Sequence, residues 1–260
     1  MATTQQDAAL KSACCDTWAS PIARLLLGNR LHPGGERTTA LTIDSLGLEP
    51  GARVLDVGCG YGSALRLLTE RGYSAIGIDL AAQTASAAST IGSVVVADAE
   101  QSPIRDGSLG GVMIECVLSL LPDKRGALSQ AYRALRQGGR IAISDVAIEQ
   151  PLPPTLQGVA TWSNCVAGAL STDGYLRLLR ESGFGDIEKI GLDHELIALI
   201  EQIRRRIAFI EIALTAKDVD LHSAGLDHHR LEIFRGFAAL ALDVVRNGTA
   251  GYQLFHATKQ

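Results

Sequence analysis

The stretch Val54-Leu55-Asp56-Val57-Gly58-Cys59-Gly60-Tyr61-Gly62 constrains this chain more than any other. A short apolar run, read as a buried strand, passes into a loop with glycine at every second position. Ala64, Leu65, Leu67 and Leu68 then continue at helical spacing, and Ser63 stands where a helix N-cap is expected. A strand, a glycine loop and a helix in that order make a corner suited to a nucleotide. Small residues let the backbone pass close to a ligand, and free N–H groups at the helix start are expected to point at its polar groups. Asp79 closes the second apolar run, Ser74-Ala75-Ile76-Gly77-Ile78. It lies about twenty residues past the loop, where such folds place a carboxylate on ribose hydroxyls.

From Val54 onward apolar runs and helical stripes alternate. Strands are expected to end at Asp79, at Asp98 after Val94-Val95-Val96-Ala97, and at Glu115-Cys116 after Gly111-Val112-Met113-Ile114. Another is expected over Ile141-Ala142-Ile143-Ser144-Asp145-Val146. Helices are expected over 81–88 and 124–135, the second followed by a turn at Gly138-Gly139. The pattern predicts a doubly wound, mostly parallel α/β sheet of seven strands, Rossmann-like, with helices on both faces. Ligands in such sheets sit beyond the carboxyl ends of the strands. Gly58, Asp79, Asp98, Cys116 and Asp145 are all expected there.

The flanks are less regular. Residues 1–12 read as disordered or a loose helix. Trp18, Ile22, Leu25 and Leu26 predict a helix over 12–28 with Cys14 and Cys15 near its start, and His32-Pro33-Gly34-Gly35 reads as a turn. His32 is read as shaping that loop, with contact to substrate or cofactor as the alternative. A helix is expected from Glu36 to Leu46, and residues 1–47 together are expected to form a helical lid. The core unit would then span 48–260 with a helical insertion at about 194–247, covering the active site or a partner surface. Pro151, Pro153 and Pro154 start a crossing segment. Residues 155–168 read as a helix or irregular arm carrying Trp162 and Cys165, and Ser171 as the cap of a helix over 174–181. Later strands are expected over 187–192 and 252–257, the last antiparallel.

At 260 residues and a net charge of −4, with acids and bases interspersed, the chain offers no basic tract for nucleic acid. No apolar run reaches membrane-spanning length, and 1–11 lacks a signal-peptide core, so a cytoplasmic location is expected. Five cysteines, an odd count, are expected as thiols. Cys59 reads as a small core residue. Zinc is disfavoured because no C-x-x-C pair exists. Arg204-Arg205-Arg206 reads as a solvated helix face, and His222, His228 and His229 as exposed between helices. Nothing in the sequence sets the oligomeric state.

The spacing G-x-G-x-G, with Asp56 two residues before its first glycine, differs from the G-x-G-x-x-G of dinucleotide sites and resembles the first motif of class I S-adenosylmethionine-dependent methyltransferases. The resemblance implies S-adenosylmethionine as cofactor. It implies that Gly58, Gly60 and Gly62 border the methionine part, with Asp56 and Glu115 in the same binding set. Asp79, with Leu80 beside it, would hold the ribose, and Asp98, Ala99 and Glu100 would lie beside the adenine.

A sulfonium cofactor is already activated, so the chain must mainly position and desolvate the attacking atom. Cys116, Cys165 and Cys14 or Cys15 are candidates to converge there, and thiolates suit soft elements. Trivalent arsenic takes three sulfurs in a pyramid and keeps a lone pair for attack. Cys116-Val117-Leu118-Ser119-Leu120-Leu121-Pro122-Asp123-Lys124 is similar to the motif after strand four in arsenite methyltransferases, as are Ala131-Tyr132-Arg133, Gly138-Gly139-Arg140 and Ser144-Asp145-Val146. Trp162-Ser163-Asn164-Cys165-Val166-Ala167-Gly168-Ala169-Leu170, with Tyr175 and Gly183-Phe184, resembles that family's second substrate-cysteine segment. The likeness covers roughly 54–190. It implies that Cys116 and Cys165 bind the metalloid, with Cys14 or Cys15 as third ligand.

The N-terminal third and the long C-terminal helices depart from that family. The alternatives are therefore a methyltransferase for a small thiol, a selenol or an ordinary oxygen or nitrogen acceptor, in which the cysteines only line the pocket. Further off stand a non-catalytic metalloid or cofactor binder and a nicotinamide oxidoreductase.

Overall fold

The computed structural model describes residues 5–20, 25–28, 32–156, 166, 168–215 and 227–260. Cys165, Trp162 and His222 lie outside them.

The first strand, β1 (Arg53–Val57), is buried beyond Arg53 and lies third in a seven-stranded sheet of order β3-β2-β1-β4-β5-β7-β6. The others are β2 (Ser74–Asp79), β3 (Ser93–Val96), β4 (Leu109–Glu115), β5 (Leu135–Ile148), β6 (Phe184–Gly191) and β7 (Ala250–Lys259). Pairs β1–β2, β2–β3, β1–β4 and β4–β5 are parallel, and β7 runs antiparallel to both β5 and β6. The chain winds from β1 out to the β3 edge, then returns to lay β4 on the other side of β1. That reversal opens a crevice at the carboxyl ends of β1 and β4.

Among the described residues the main helices are α1 (Gln5–Ala19), α2 (Glu36–Ser45), α3 (Ser63–Glu70), α4 (Ala82–Ala88), α5 (Lys124–Ala134), α6 (Thr172–Glu181), α7 (Asp193–Thr215) and α8 (His228–Arg246). Leu55, Val112, Ile114, Ile143 and Phe255 pack on one face of the sheet with α5 and α6, while Val54, Met113, Ala142 and Leu254 pack on the other with α2 and α3. Neighbouring residues thus alternate between two cores, as both faces of a covered sheet require. Ser171 caps α6 by accepting from Gly174 N at 3.1 Å, as its position predicts.

Several expectations need correction. The first helix begins at Gln5 and ends at Ala19, so Cys14 and Cys15 stand in its second half; of its expected apolar stripe Trp18 packs on the core, Leu26 lies beyond the helix on another cluster, Leu25 is exposed and Ile22 lies outside the described residues. Ser63 is the first residue of α3 and makes no cap bond, because Gly62 takes the cap position in a left-handed conformation, φ 84°. The Gly138-Gly139 turn is absorbed into β5 near a register shift against Leu109 and Gly111. β6 begins three residues earlier than expected and ends one earlier, at Gly191. Asp145 does not end a strand. β5 continues to Ile148 because β7 pairs along it, Asp145 facing Gln253, and the carboxylate is sealed in the interior. His228 and His229 open α8 and are exposed. Arg204 and Arg205 are solvated as expected, but Arg206 turns inward and donates to the Leu26 carbonyl at 2.9 Å. Among the described residues no helix is long and apolar enough to cross a membrane.

Candidate functional site

The crevice is a cavity of about 190 Å³ that opens to solvent. Its walls are the ends of the strands: Asp56, Gly58, Gly60 and Tyr61 after β1, Asp79, Leu80 and Ala81 after β2, Asp98 and Ala99 after β3, Glu115 and Cys116 after β4. A further wall is α1, with Lys11, Cys14, Cys15 and Trp18. No residue of α7 or α8 lines it. Those helices pack on each other and on Leu156 in a separate cluster, so of the two roles expected for them, covering the site or a partner surface, the first is not seen among the described residues.

The glycine loop works differently from the expectation of free N–H groups. The amides of Gly58 and Cys59 donate to the Ile78 carbonyl at 2.8 and 3.0 Å, Gly62 N to the Cys59 carbonyl at 2.8 Å, and Gly60 N to Asp79 Oδ2 at 2.8 Å. These groups are spent on holding the loop against β2. Glycine is required at 58 for two reasons: φ is 74°, and a Cβ there would overlap Val117. Cys59 packs against Gly77 and is buried, and its thiol is pushed up strongly by burial and then by Asp56 and Asp79. It is a core residue, as read from the sequence.

Asp79 is the best-ordered carboxylate of the floor. Besides Gly60, it accepts from Ala81 N and Thr84 Oγ1, both at 2.9 Å on Oδ1, which leaves a lone pair on Oδ2 for a hydroxyl. Asp56 is the opposite case. It is 3% exposed, and its Oδ2 has no partner. Burial, then Glu115 and Asp79, raise its pKa well above the usual carboxylate range. A cation seated beside it would relieve both conditions, and S-adenosylmethionine carries an ammonium and a sulfonium. The residues present therefore fit that cofactor: an unsatisfied buried acid, a pre-ordered carboxylate at the β2 end, and two further acids, Asp98 and Glu115, on the same wall.

At the other end of the cavity Cys116 has a non-glycine left-handed backbone, φ 52°, held by its amide bond to the Ser144 carbonyl at 2.8 Å. Its thiol donates to Tyr252 Oη at 3.5 Å, Tyr252 donates to Ser144 Oγ at 3.0 Å, and Ser144 donates to Glu115 Oε1 at 3.3 Å. Glu115 also accepts from Thr39 at 3.0 Å and Thr42 at 2.9 Å, so it ties α2 to the end of β4. Burial, then Cys116 and Glu115, push the Tyr252 hydroxyl well above its ordinary value, which keeps it a donor. Cys15 stays a thiol as well: burial raises it first, then the charges of Asp79 and Asp16. His32 bridges its own turn, Nδ1 lying 3.2 Å from the Pro33 carbonyl oxygen and Nε2 3.2 Å from Thr39 Oγ1, with Glu115 at 3.8 Å. Both ring nitrogens serve the loop, in line with the loop-shaping reading, although the ring also faces the cavity.

The fold thus brings Cys14, Cys15 and Cys116 to one cavity with Asp56, Asp79, Leu80, Asp98, Ala99 and Glu115. Glu100 is set back, accepting from Asp123 N and Lys11. Cys165 lies outside the described residues, and among those residues no cluster of three or more His, Cys, Asp or Glu is arranged to hold a metal ion. Trp18 was expected on the lid helix, but Lys11, Ser144 and Tyr252 were not singled out as site residues from the sequence. Ser144 and Tyr252 are joined to the site only by β5–β7 pairing, and Lys11 sat in a stretch read as loose.

A family model described as a methyltransferase domain matches residues 55–143. An arsenite methyltransferase of Aquipseudomonas alcaligenes is 30% identical over 195 residues, 67% of this chain and 56% of that protein. The chain thus spans about half the length of that relative. The O-methyltransferase resE of Aspergillus sclerotiorum is 30% identical over 212 residues, covering 72% of this chain and 80% of that one. Among solved structures, Haemonchus contortus phosphoethanolamine N-methyltransferase 2 in complex with S-adenosyl-L-methionine has a TM-score of 0.74 at 18% identity, over 98% of this chain and 58% of that one.

Proposed function

The chain belongs to the class I S-adenosylmethionine-dependent methyltransferases, and from that premise we propose that it transfers a methyl group to a soft acceptor, arsenite foremost, held by cysteine sulfurs. Bound S-adenosylmethionine supplies an electrophilic methyl carbon. Asp79 would hold the ribose hydroxyls and Asp56 the cationic end, with Asp98 and Ala99 along the adenine. The chain's own task is to orient a nucleophile and exclude water, which suits a cavity whose far end is walled by thiols and apolar side chains.

The observation that carries this reading is that Cys116 shares its cavity with Cys14 and Cys15, a hundred residues away in sequence. Cys116 is braced by Tyr252 and by its constrained backbone. Cys165 completes the sulfur set by resemblance to the arsenite enzymes. Methyl transfer from labelled cofactor to arsenite tests it, with Cys116→Ser, Cys165→Ser and Cys14→Ser/Cys15→Ser measured separately. Loss of methylarsenical product in each supports the reading, and full turnover in the Cys116 and Cys165 variants would exclude sulfur capture.

A hydroxyl-bearing acceptor is the second reading. The likeness to O-methyltransferases and the polar pair His32 and Glu115 on the cavity wall favour it. Turnover of phenols or alcohols, insensitive to the cysteine replacements, would select it.

A further inference from the structure

Helix α1 touches the cavity with one face. Lys11, Cys14, Cys15 and Trp18 follow the spacing i, i+3, i+4, i+7, which gathers side chains on one side of a helix, and all four line the cavity. Among the described residues of α1, Lys11 and Cys14 are the two that are buried, Lys11 being 7% exposed. A lysine is an unfavourable anchor for a helix unless its ammonium is paired. Here Nζ lies 2.7 Å from Asp98 Oδ2 and 2.5 Å from Glu100 Oε2.

The carboxylates are fixed from the other side. Asp98 Oδ1 accepts from Glu100 N at 3.0 Å, and Glu100 Oε1 accepts from Asp123 N at 2.8 Å. The anchor therefore grips rigid backbone at the end of β3 and the start of α5. The hydroxyl of Thr17, by contrast, turns back to Ala13 O within α1. Cys14 and Cys15 lie within about one helical turn of Lys11, so whatever holds Lys11 sets where those sulfurs point. Asp98 stands at the end of the cavity that the resemblance gives to the adenine.

We propose that Lys11 is a positioning residue: by clamping α1 to Asp98 and Glu100 it holds Cys14 and Cys15 against the cavity that Cys116 also lines, and couples occupancy of the cofactor end to the geometry of the acceptor end. This rests on the reading that the α1 thiols receive the acceptor. It gives Lys11 no contact with the acceptor itself.

Alkylation reads the clamp with no acceptor present, so its outcome is separate from whether arsenite is methylated. N-ethylmaleimide modification of Cys14 and Cys15 is followed peptide by peptide by mass spectrometry, with and without S-adenosylhomocysteine. In the unmodified chain S-adenosylhomocysteine slows both sites. In Lys11→Gln both react at least about tenfold faster and the protection disappears, as expected when a buried ion pair loses one partner and the helix opens locally. Lys11→Arg restores slow, protectable thiols. Glu100→Gln, which spares the Asp98 contact, gives an intermediate rate and stands in should Lys11→Gln fail to fold. With methyl transfer as a second readout, Lys11→Gln raises the acceptor KM more than it lowers kcat. Unchanged alkylation rates and protection in a Lys11→Gln protein with an unchanged melting midpoint would overturn the proposal.

Discussion

In the glycine loop and at the end of β2, the polar groups on the floor of the cavity are held chiefly by neighbouring backbone. Asp79 is locked by two amides and a threonine, and the glycine amides are spent on β2 and on the loop itself. Along the α1 wall side chains make the hold, among them a lysine between two carboxylates and a tryptophan against the core. The floor is part of a sheet, so moving it breaks ladder hydrogen bonds. The α1 wall, held by an ion-paired clamp and apolar contact, can shift without breaking that ladder. Under the proposed function, the floor is the half that takes a cofactor of constant shape and the wall the half that adapts to the acceptor.

The comparison can be broken at its stiffest point first. Gly58→Ala places a Cβ into Val117 at a left-handed φ, and the fold should lose about 3 kcal/mol in urea unfolding, since neither strand end can retreat. A loss under about 1 kcal/mol would mean the floor yields as readily as α1.

Slightly smaller is the effect of pH on Asp145, the sealed acid that does not reach the cavity. Burial raises it from 3.8 to about 6, against the opposing pull of Ser119, Val146 N and Lys124. The folded state thus holds this proton at higher pH than the unfolded chain does, so protonation favours the fold. Its contribution to stability should rise by up to about 3 kcal/mol as pH falls from 7 through 6 toward 4. Asp145→Asn should flatten that part of the stability–pH curve. An unchanged slope would show that the carboxylate is no worse off inside the fold than outside it.

Next comes Asp79→Asn. Replacing the charged acceptor of three floor donors should weaken S-adenosylhomocysteine binding about 30- to 100-fold by calorimetry, with little change in melting. Equal affinity would remove Asp79 from the ribose role.

Smallest is Tyr252→Phe. It leaves Ser144 and Cys116 without their shared partner and should lower stability by about 1 kcal/mol while loosening Cys116. Alkylation of Cys116 should quicken in step. A stability loss with no change at Cys116 would confine Tyr252 to packing.

Much of the floor could be read in one dimension. The apolar runs, the alternating glycines and the acids closing each strand are local, and winding of one hand carries local strand ends to one edge. Asp56, Asp79, Asp98 and Cys116 reach that edge for this reason. Asp145 broke the rule because a strand's end depends on its partner, and β7 pairs with β5 past the position where the apolar run stops. The start of α1 was missed because its anchor is a charged residue. Hydrophobic periodicity registers apolar stripes and is blind to a lysine buried by two distant acids.

The amino-acid sequence by itself determined a doubly wound sheet with an acidic, glycine-cornered crevice, because strand propensity, turn chemistry and winding are properties of neighbours along the chain. The tertiary structure alone decided which polar groups are already spent: the loop amides on β2, Glu115 on α2, Lys11 on Asp98 and Glu100. Hydrogen-bond and ion-pair partners are chosen by proximity across tens of residues, and a group's chemistry follows from what its neighbours leave it free to do.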